Sequence, residues 1–222
     1  DIKLNYCRQN TFQFYFNNNA MEEILNEKPI VECSFIKEEL SRLVNTNRLI
    51  SSAYLFTDKG FLYSGTGILG VEELHKNLQH SLEDTNGRIF WSPSSNFKSM
   101  YGMKQAYFWG SRHIRQNCQQ IATLHIGIGE PFWDDFFSYI PTEQGQPLVV
   151  CDKSGALIAT NGNAPIGEHF YAQNIMSDIV NNRHPVSLVK DEKETIVLSS
   201  ESEESGWFVT QIILPGKISS EL

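Results

Sequence analysis

The spacing of the hydrophobic residues changes along the chain and divides it into a helical beginning and two strand-rich parts. In residues 1–48 the apolar positions recur at intervals of three and four, as in FIKEELSRLV at residues 35–44, which predicts helices interrupted at Pro29. From Ile50 onward the apolar side chains follow a period of two, which predicts β-strands.

Two separate segments of the strand-rich part have almost the same pattern. SAYLFTDKGFLYSG at residues 52–65 and PLVVCDKSGALIATNG at residues 147–162 each contain an apolar run, an Asp-Lys turn with a glycine, and a second apolar run. A polar turn with glycine between two apolar runs predicts a β-hairpin. The repetition therefore predicts two copies of one small module.

Each predicted hairpin is followed by a helix and by further strands. The first is followed by the helix VEELHKNLQHSL, a long loop, and the strands MKQAYFWGSRHI and QQIATLHIGIG. The second is followed by a helix around YAQNIMSDIV and by the strands PVSLVKD, ETIVLSS and GWFVTQIIL. Because short turns separate most strands, antiparallel sheets are favoured over a doubly wound parallel sheet.

The predicted fold class is α+β, with two antiparallel-sheet modules preceded by N-terminal helices. The proline-bracketed segment EPFWDDFFSYIPTEQGQP, at residues 130–147, is the candidate boundary between the modules. The predicted division is an N-terminal helical segment at residues 1–48, a first module at residues 49–130, and a linker with a second module at residues 131–222.

Charge and composition exclude some classes of function. The chain has 222 residues, 41% of them hydrophobic, and a formal net charge of -8 from 26 acidic and 18 basic residues. Its Lys and Arg residues are scattered, whereas nucleic acid requires a concentrated positive surface, so no nucleic-acid partner is expected. No apolar run reaches the roughly 18 residues of a membrane span. The start at Asp1 and the end in GKISSEL predict a piece of a longer protein.

The sequence contains no convincing catalytic, metal or cofactor motif. GTGILG at residues 65–70 has the glycine spacing of a dinucleotide-binding loop, but it follows a predicted hairpin arm instead of a buried parallel strand. The histidines are not spaced as metal ligands, so we expect no metal, no cofactor and no catalytic residue. Cys7, Cys33, Cys118 and Cys151 form no C-x-x-C motif, and we expect buried free thiols, with a disulfide as the alternative.

The candidate ligand-binding residues form an aromatic cluster with one arginine. They are Trp91, Tyr101, Tyr107, Trp109 and Arg112. Aromatic walls with a few polar groups line many small-ligand pockets, and an arginine can hold a carboxylate or a sugar by forked hydrogen bonds. Core packing is the alternative, because alternation along AYFWGSR points Tyr107 and Trp109 to one side of a strand and Arg112 to the other.

The order of four segments resembles a known family. ISSAYLFTDKGFLYSG, then YFWGSRHI with IATLHIGIGEPFWDDFF, then PLVVCDKSGALIATNGNAPIG, and finally SGWFVTQIILPGKISSEL resemble the extracytoplasmic sensor region of Gram-positive membrane histidine kinases. That region is of the double Cache, or PAS-like, type. The resemblance covers the chain from about residue 49 onward, including the strand with Arg112 and the closing Gly206-Trp207.

The resemblance implies a ligand-sensing domain on the outer side of the cell membrane. Residues 1–48 would continue a first membrane helix, and LPGKISSEL would lead to a second one, followed by a signalling coil and a kinase domain. The fragment itself would be non-catalytic, although its parent would be a histidine kinase. The alternatives are an input domain of a chemoreceptor or cyclase, a free-standing exported binding module, and a small enzyme that uses GTGILG.

The ligand and partners are less closely defined. The chain lacks the Y-x-x-R-x-W string of the family's amino-acid sensors, which argues against an amino-acid ligand. Its aromatic and polar residues suit a small polar solute such as a carbohydrate, and a solute-binding protein is the other candidate. We expect any ligand in the first module, Trp207 in the core of the second, and, from the resemblance, a homodimer through the N-terminal helices.

Overall fold

The chain folds into two compact units. The computed structural model describes residues 1–26, 28–65, 67, 70–82, 88–95, 107–139, 147–162, 168, 170, 173–182, 186–190 and 193–213. The first unit comprises Ile2–Phe132, and the second comprises Trp133–Leu222 with Asp1. The predicted domain boundaries after residues 48 and 130 stay a prediction.

Helices and strands occur in the order that the hydrophobic pattern predicts, except that residues 90–95, which belong to the predicted long loop, form a strand. The helices are α1 (Ile2–Thr11), α2 (Gln13–Phe16), α3 (Asn18–Leu25), α4 (Ser34–Thr46), α5 (Val71–Leu82), α6 (Glu130–Ser138) and α7 (Gln173–Asn182), with a 3-10 turn at Ile30–Glu32. The strands are β1 (Ile50–Thr57), β2 (Gly60–Gly65), β3 (Phe90–Ser95), β4 (Tyr107–Gln116), β5 (Gln119–Ile128), β6 (Leu148–Cys151), β7 (Leu157–Thr160), β8 (Val186–Lys190), β9 (Lys193–Glu201) and β10 (Phe208–Ile213). No helix in the described ranges is both long enough and apolar enough to cross a membrane.

The two units contain sheets of the same topology. The strand order is β2-β1-β5-β4-β3 in the first unit and β7-β6-β10-β9-β8 in the second. Counted from the start of each unit, both orders run second, first, fifth, fourth, third, and all neighbouring strands are antiparallel. The predicted α+β fold with two antiparallel modules and N-terminal helices is confirmed.

The N-terminal helices pack against one face of the first sheet. Helix α4 contacts β1 and β2, and α3 contacts β5. Ile36, Leu40 and Leu43 of α4 are at most 1% exposed, because their spacing places them on one side of the helix. The apolar residues that predicted this helix are therefore the ones that it buries.

Glycines determine how the first hairpin closes and ends. Gly60 follows the Asp58-Lys59 turn with φ 124°, and Gly65 ends β2 with φ 85°. A Cβ on Gly65 would collide with the backbone oxygen of Ser51, so only glycine fits there. Because β2 pairs antiparallel with β1, the strand before GTGILG is not the parallel strand that a dinucleotide-binding unit requires.

The cysteines only partly match the expectation of buried free thiols. Cys7, Cys33 and Cys151 are buried and free, and burial raises the pKa of Cys7 to about 11 and that of Cys151 to about 12. Cys118 is also free but is exposed. Its φ of 66° places it, with Asn117, in the tight turn between β4 and β5, and such turns lie at the surface.

The second unit has an apolar core between its sheet and α7. Seven buried residues form it, namely Val149, Cys151, Leu157, Met176, Ile179, Val197 and Phe208. Trp207 is 5% exposed, as predicted, and its ring lies 6.3 Å from that of Trp133 in a stacked arrangement. In the hairpin turn, Asp152 Oδ1 accepts hydrogen bonds from the backbone N–H groups of Ser154 and Ala156 at 2.8 and 3.0 Å.

We predict that Trp207→Ala destabilises the protein by about 3–5 kcal/mol, because it removes a buried indole and leaves a cavity. Tyr139→Ala, in the same unit, is the matched control, since Tyr139 is 75% exposed. The control is expected to change the free energy of unfolding by less than about 0.5 kcal/mol. Urea unfolding followed by circular dichroism measures both values, and equal effects of the two variants would contradict the assignment of Trp207 to the core.

Candidate functional site

The two faces of the first sheet differ in chemistry. We call the side that contacts the N-terminal helices the helix face, and the side that contacts α5 the polar face. Paired residues in antiparallel strands share a face, and their side chains lie next to one another. By this register the polar face carries Ser52, Tyr54, Phe56, Trp109, Ser111, His113, Thr123 and His125.

A chain of three hydrogen-bonding side chains crosses the polar face and reaches α5. Ser111 Oγ on β4 lies 2.7 Å from Nδ1 of His125 on β5. Nε2 of His125 lies 2.9 Å from Nδ1 of His75 on α5. Ser111 and His125 are fully buried, whereas His75 is partly exposed. The chain therefore joins two strands to the helix and ends near solvent.

Phe56 fixes the orientation of the two imidazole rings. Its ring stacks on His75 with centroids 4.0 Å apart and an interplanar angle of 1°. The same ring meets His125 edge-on, at 5.5 Å and 77°. Because one aromatic ring contacts both histidines, neither imidazole can rotate freely, and their nitrogens stay aligned.

A second polar pair lies beside this chain. His113 Nδ1 on β4 is 3.2 Å from Thr123 Oγ1 on β5, and Gln120 Nε2 donates to the same oxygen at 3.1 Å. His113 and Thr123 are at most 2% exposed. Two adjacent rows of the sheet interior thus hold hydrogen-bonding groups where an ordinary core would hold aliphatic side chains.

Aromatic and aliphatic residues surround the polar rows. The rings of Tyr54 and Trp109 lie 6.0 Å apart, and both pack with α5 through Val71, Leu74 and Leu78. A Cβ on Gly127 would approach the Trp109 ring to 3.1 Å, so the glycine lets the indole lie on the β5 backbone.

Burial keeps His75 and His125 in their neutral forms. Desolvation, followed by the nearby His75 and His113, lowers the pKa of His125 to about 3. Desolvation also lowers the pKa of His75. In a neutral imidazole one nitrogen donates and the other accepts, so the Ser111–His125–His75 chain can run in either direction. It can therefore present either a donor or an acceptor at its outer end.

The structure separates the residues of the predicted aromatic cluster. Trp109 lies on the polar face, and its side chain is fully buried. Trp91 pairs with Gly110 and is 3% exposed on the helix face, next to Phe108 at 5.8 Å between rings.

Tyr107 begins β4, but its side chain is not among those described, and Tyr101 lies outside the described residues. That these residues line a ligand pocket stays a prediction.

Arg112 lies on the helix face, opposite Trp109. Its guanidinium is 4.1 Å from the centre of the Phe12 ring and 5.1 Å from that of Tyr15, and Nη1 donates to Thr11 Oγ1 at 3.1 Å. Burial lowers the pKa of Arg112, while Tyr15 opposes that change. The cation is thus held by the N-terminal helices, and Arg112 and Trp109 cannot line one cavity.

The spacing of the histidines along the sequence did not predict the Ser111–His125–His75 chain. A hairpin centred on Asn117-Cys118 pairs Arg115 with Gln120, and continuing that register would pair Ser111 with Leu124. The actual pairing changes after Ile121, which has no partner, so that Ser111 faces His125. Such a bulge has no clear signal in the sequence, although histidines alternating with apolar residues in β5 could have drawn attention to this face.

Solved structures with the same fold are sensory domains of membrane receptors. The extracellular domain of rpHK1S-Z16, described as a histidine kinase, has 11% identity and a TM-score of 0.65, covering 99% of this chain and 95% of that chain. The sensory domain of the Campylobacter jejuni chemoreceptor Tlp3 with bound isoleucine has 14% identity and a TM-score of 0.59, covering 96% and 90%. The ligand-binding domain of the Pseudomonas aeruginosa PAO1 chemoreceptor PctB with L-Arg has 10% identity and a TM-score of 0.62, covering 92% and 86%.

At these identities the similarity establishes the fold alone. No protein-family model matches the chain, and no curated protein matches it. The fold nevertheless agrees with the resemblance to double Cache sensor domains, whereas the Gram-positive origin stays a prediction.

We predict that stability falls as the pH is lowered from 7 to 5. Unfolded histidine has a pKa of about 6.5. His125 in the folded protein has a pKa of about 3, so between these values the unfolded state binds more protons. Titration of His125 alone should then remove about 2 kcal/mol over this interval. Urea unfolding at several pH values measures the slope, and His125→Gln should flatten it. An unchanged slope in that variant would show that His125 is not the group responsible.

Proposed function

We propose that this chain is the extracytoplasmic ligand-sensing domain of a membrane sensor histidine kinase. The observation that carries the proposal is the match of almost the entire chain, 99%, to the extracellular domain of rpHK1S-Z16. By analogy with that domain, this one would act by binding, and the kinase activity would belong to a cytoplasmic part of the parent. Under this proposal the domain would lie on the outer side of the cell membrane.

We further propose that the polar face of the first unit recognises the ligand. It combines aromatic surface from Tyr54 and Trp109 with hydrogen-bonding groups in a buried setting, which is the composition of small-molecule sites. The outer imidazole nitrogen of His75 is the end of the Ser111–His125–His75 chain and would meet the ligand. Tyr101 and Tyr107 remain candidates, whereas Trp91 and Arg112 point to the helix face.

The chemistry of this face favours a neutral polar solute such as a carbohydrate. The polar face named above consists of aromatic rings, hydroxyls and imidazoles, and it includes no carboxylate, ammonium or guanidinium group. A hydroxyl group both donates and accepts, and so does the reversible Ser111–His125–His75 chain. The sensory domains of Tlp3 and PctB were solved with amino acids, so amino acids are the ligands against which sugars should be compared. A solute-binding protein is the other partner to test.

Signalling would proceed by a shift between two arrangements of the domain. A ligand changes such an equilibrium only by its difference in affinity for the two arrangements. A homodimer through the N-terminal helices would carry the change to the membrane. Ile2 and Phe16 on these helices, and Val31 in the 3-10 turn between them, are apolar and at least 80% exposed, which supports a partner surface in this region.

The second candidate is an input domain of a chemoreceptor. The matches to the sensory domains of Tlp3 and PctB, which cover 96% and 92% of this chain, favour it. The coding sequence of the full-length protein distinguishes the two, because a kinase core in the same chain would exclude the chemoreceptor.

A thermal-shift screen against sugars, amino acids, organic acids and nucleotides tests ligand binding. A ligand at 100 times its dissociation constant stabilises the folded state by about 2.7 kcal/mol, which raises the melting temperature of a chain of this size by several degrees. We expect one chemical class to give this shift, and sugars before amino acids.

Two tryptophan variants then locate the site. Trp109→Phe alters the polar face, whereas Trp91→Phe alters a tryptophan of similar burial on the helix face of the same sheet. The ligand-induced shift should be lost or strongly reduced in Trp109→Phe and retained in Trp91→Phe. The opposite result would locate the ligand on the helix face. A screen without any shift would contradict direct sensing and favour a protein partner.

A further inference from the structure

Strand β4 touches the hydrogen-bond network of the polar face on one side and the N-terminal helices on the other. We propose that β4 transmits the state of the polar face to the N-terminal helices, and that Tyr15 is the positioning residue that holds the helices to it. The biological meaning of this coupling rests on the proposed function, but the coupling itself is a property of the domain alone.

Tyr15 attaches α2 to the backbone of β4. Its hydroxyl donates to the carbonyl oxygen of His113 at 3.1 Å and accepts from the N–H of Arg115 at 3.3 Å. Within the described residues β3 pairs with β4 only as far as Ser111, so these backbone groups lie beyond the last β3 partner. A single side-chain hydroxyl thus binds two groups of β4 that β3 does not reach.

Arg112 reinforces this attachment at the break between α1 and α2. Helix α1 ends at Thr11, α2 begins at Gln13, and Phe12 lies between them. The Arg112 guanidinium lies over the rings of Phe12 and Tyr15 and donates to Thr11, so it contacts both helices at their junction. Any movement of Arg112 therefore changes contacts with both helices.

The polar-face contacts come from the residues on either side of Arg112. Ser111 bonds to His125, and His113 bonds to Thr123, while the carbonyl oxygen of His113 accepts from Tyr15. His113 therefore contributes its side chain to one face and its backbone oxygen to the N-terminal helices. The two sets of bonds are separated by a few covalent bonds of one strand.

A bulge interrupts the β4–β5 ladder beside the groups that Tyr15 binds. Ile121 has no partner on β4, and the register changes between Ile114 and Arg115, next to the groups that Tyr15 binds. Bulges interrupt the ladder and change the local twist, and they often occur beside functional sites. A ligand that rearranges His75 and His125 would move Ser111, and β4 would then alter its bonds to Tyr15.

The titratable side chains that face His125 belong to the hydrogen-bond network of the polar face. His75 faces His125 from α5, and His113 approaches it from β4, while β1 contributes the uncharged ring of Phe56. A perturbation by mutation is therefore cleaner than one by pH, because a mutation changes one member of the network at a time.

Amide hydrogen exchange of Arg115 tests the coupling without a ligand. Tyr15→Phe removes the acceptor of this amide and should speed its exchange by about tenfold or more. Ser111→Ala, which alters only the polar face, should speed the same exchange by about threefold or more beyond any change in global stability. Ser52→Ala is the matched control, because Ser52 is a fully buried serine on β1 that lies on the same face but whose hydroxyl makes no hydrogen bond with a described residue. It should leave the exchange of Arg115 unchanged.

A double-mutant cycle tests the coupling between Tyr15 and Ser111 independently. The double variant Tyr15→Phe/Ser111→Ala changes the unfolding equilibrium constant by a factor that should differ about threefold or more from the product of the factors of the two single variants. For independent sites the two values agree within about twofold. Tyr15→Phe with Ser52→Ala should be multiplicative. The proposal is overturned if both pairs are multiplicative, or if both deviate equally, since the coupling would then be absent or general to the sheet.

The outcome does not depend on the ligand screen. A screen without a hit would contradict direct ligand sensing and leave the coupling intact, because neither the exchange measurement nor the cycle uses a ligand. Unchanged Arg115 exchange in Ser111→Ala would remove the coupling even if a ligand binds to the polar face.

Discussion

The bulged pairing of β4 with β5 is the constraint on which the candidate site depends. Both strands run for 10 residues, and the extra residue Ile121 shifts the register between the turn and the middle of the sheet. A shift by one residue moves every later side chain of the strand to the opposite face. Because of it, Ser111 stands opposite His125, and the buried hydrogen-bonding groups collect on one face.

The same register separates the two tasks of the first sheet. The polar face meets α5 through aromatic rings and the Ser111–His125–His75 chain, whereas the helix face meets the N-terminal helices through aliphatic residues and Arg112. Buried polar groups cost free energy unless they are hydrogen-bonded, and the links of the chain compensate for one another's desolvation. Such a network favours one arrangement, and a ligand that offers different partners can favour another.

The second unit repeats the topology without this chemistry in its described core. Its sheet has the same strand order, but the side that contacts α7 is built mainly from aliphatic, aromatic and sulfur-containing residues such as Val149, Cys151 and Met176. The buried hydroxyl of Thr210 donates to the backbone oxygen of Val149. A repeated fold thus carries a polar interior in the first unit and an apolar one in the second. This difference is why we propose ligand recognition in the first unit and not in the second.

The sequence by itself determined the number of modules, the two hairpins and the helices, because these follow from local periodicity and from turn residues such as Asp58, Gly60 and Asp152. It also determined that Trp109 and Arg112 point to opposite faces, since alternation along a strand is a local rule. Only the tertiary structure decided that His75 from a helix meets His125, and that Tyr15 binds β4. His75 and His125 are 50 positions apart in the sequence, and Tyr15 and His113 are 98 apart. Both contacts depend on a bulge and on helix packing that no local pattern encodes.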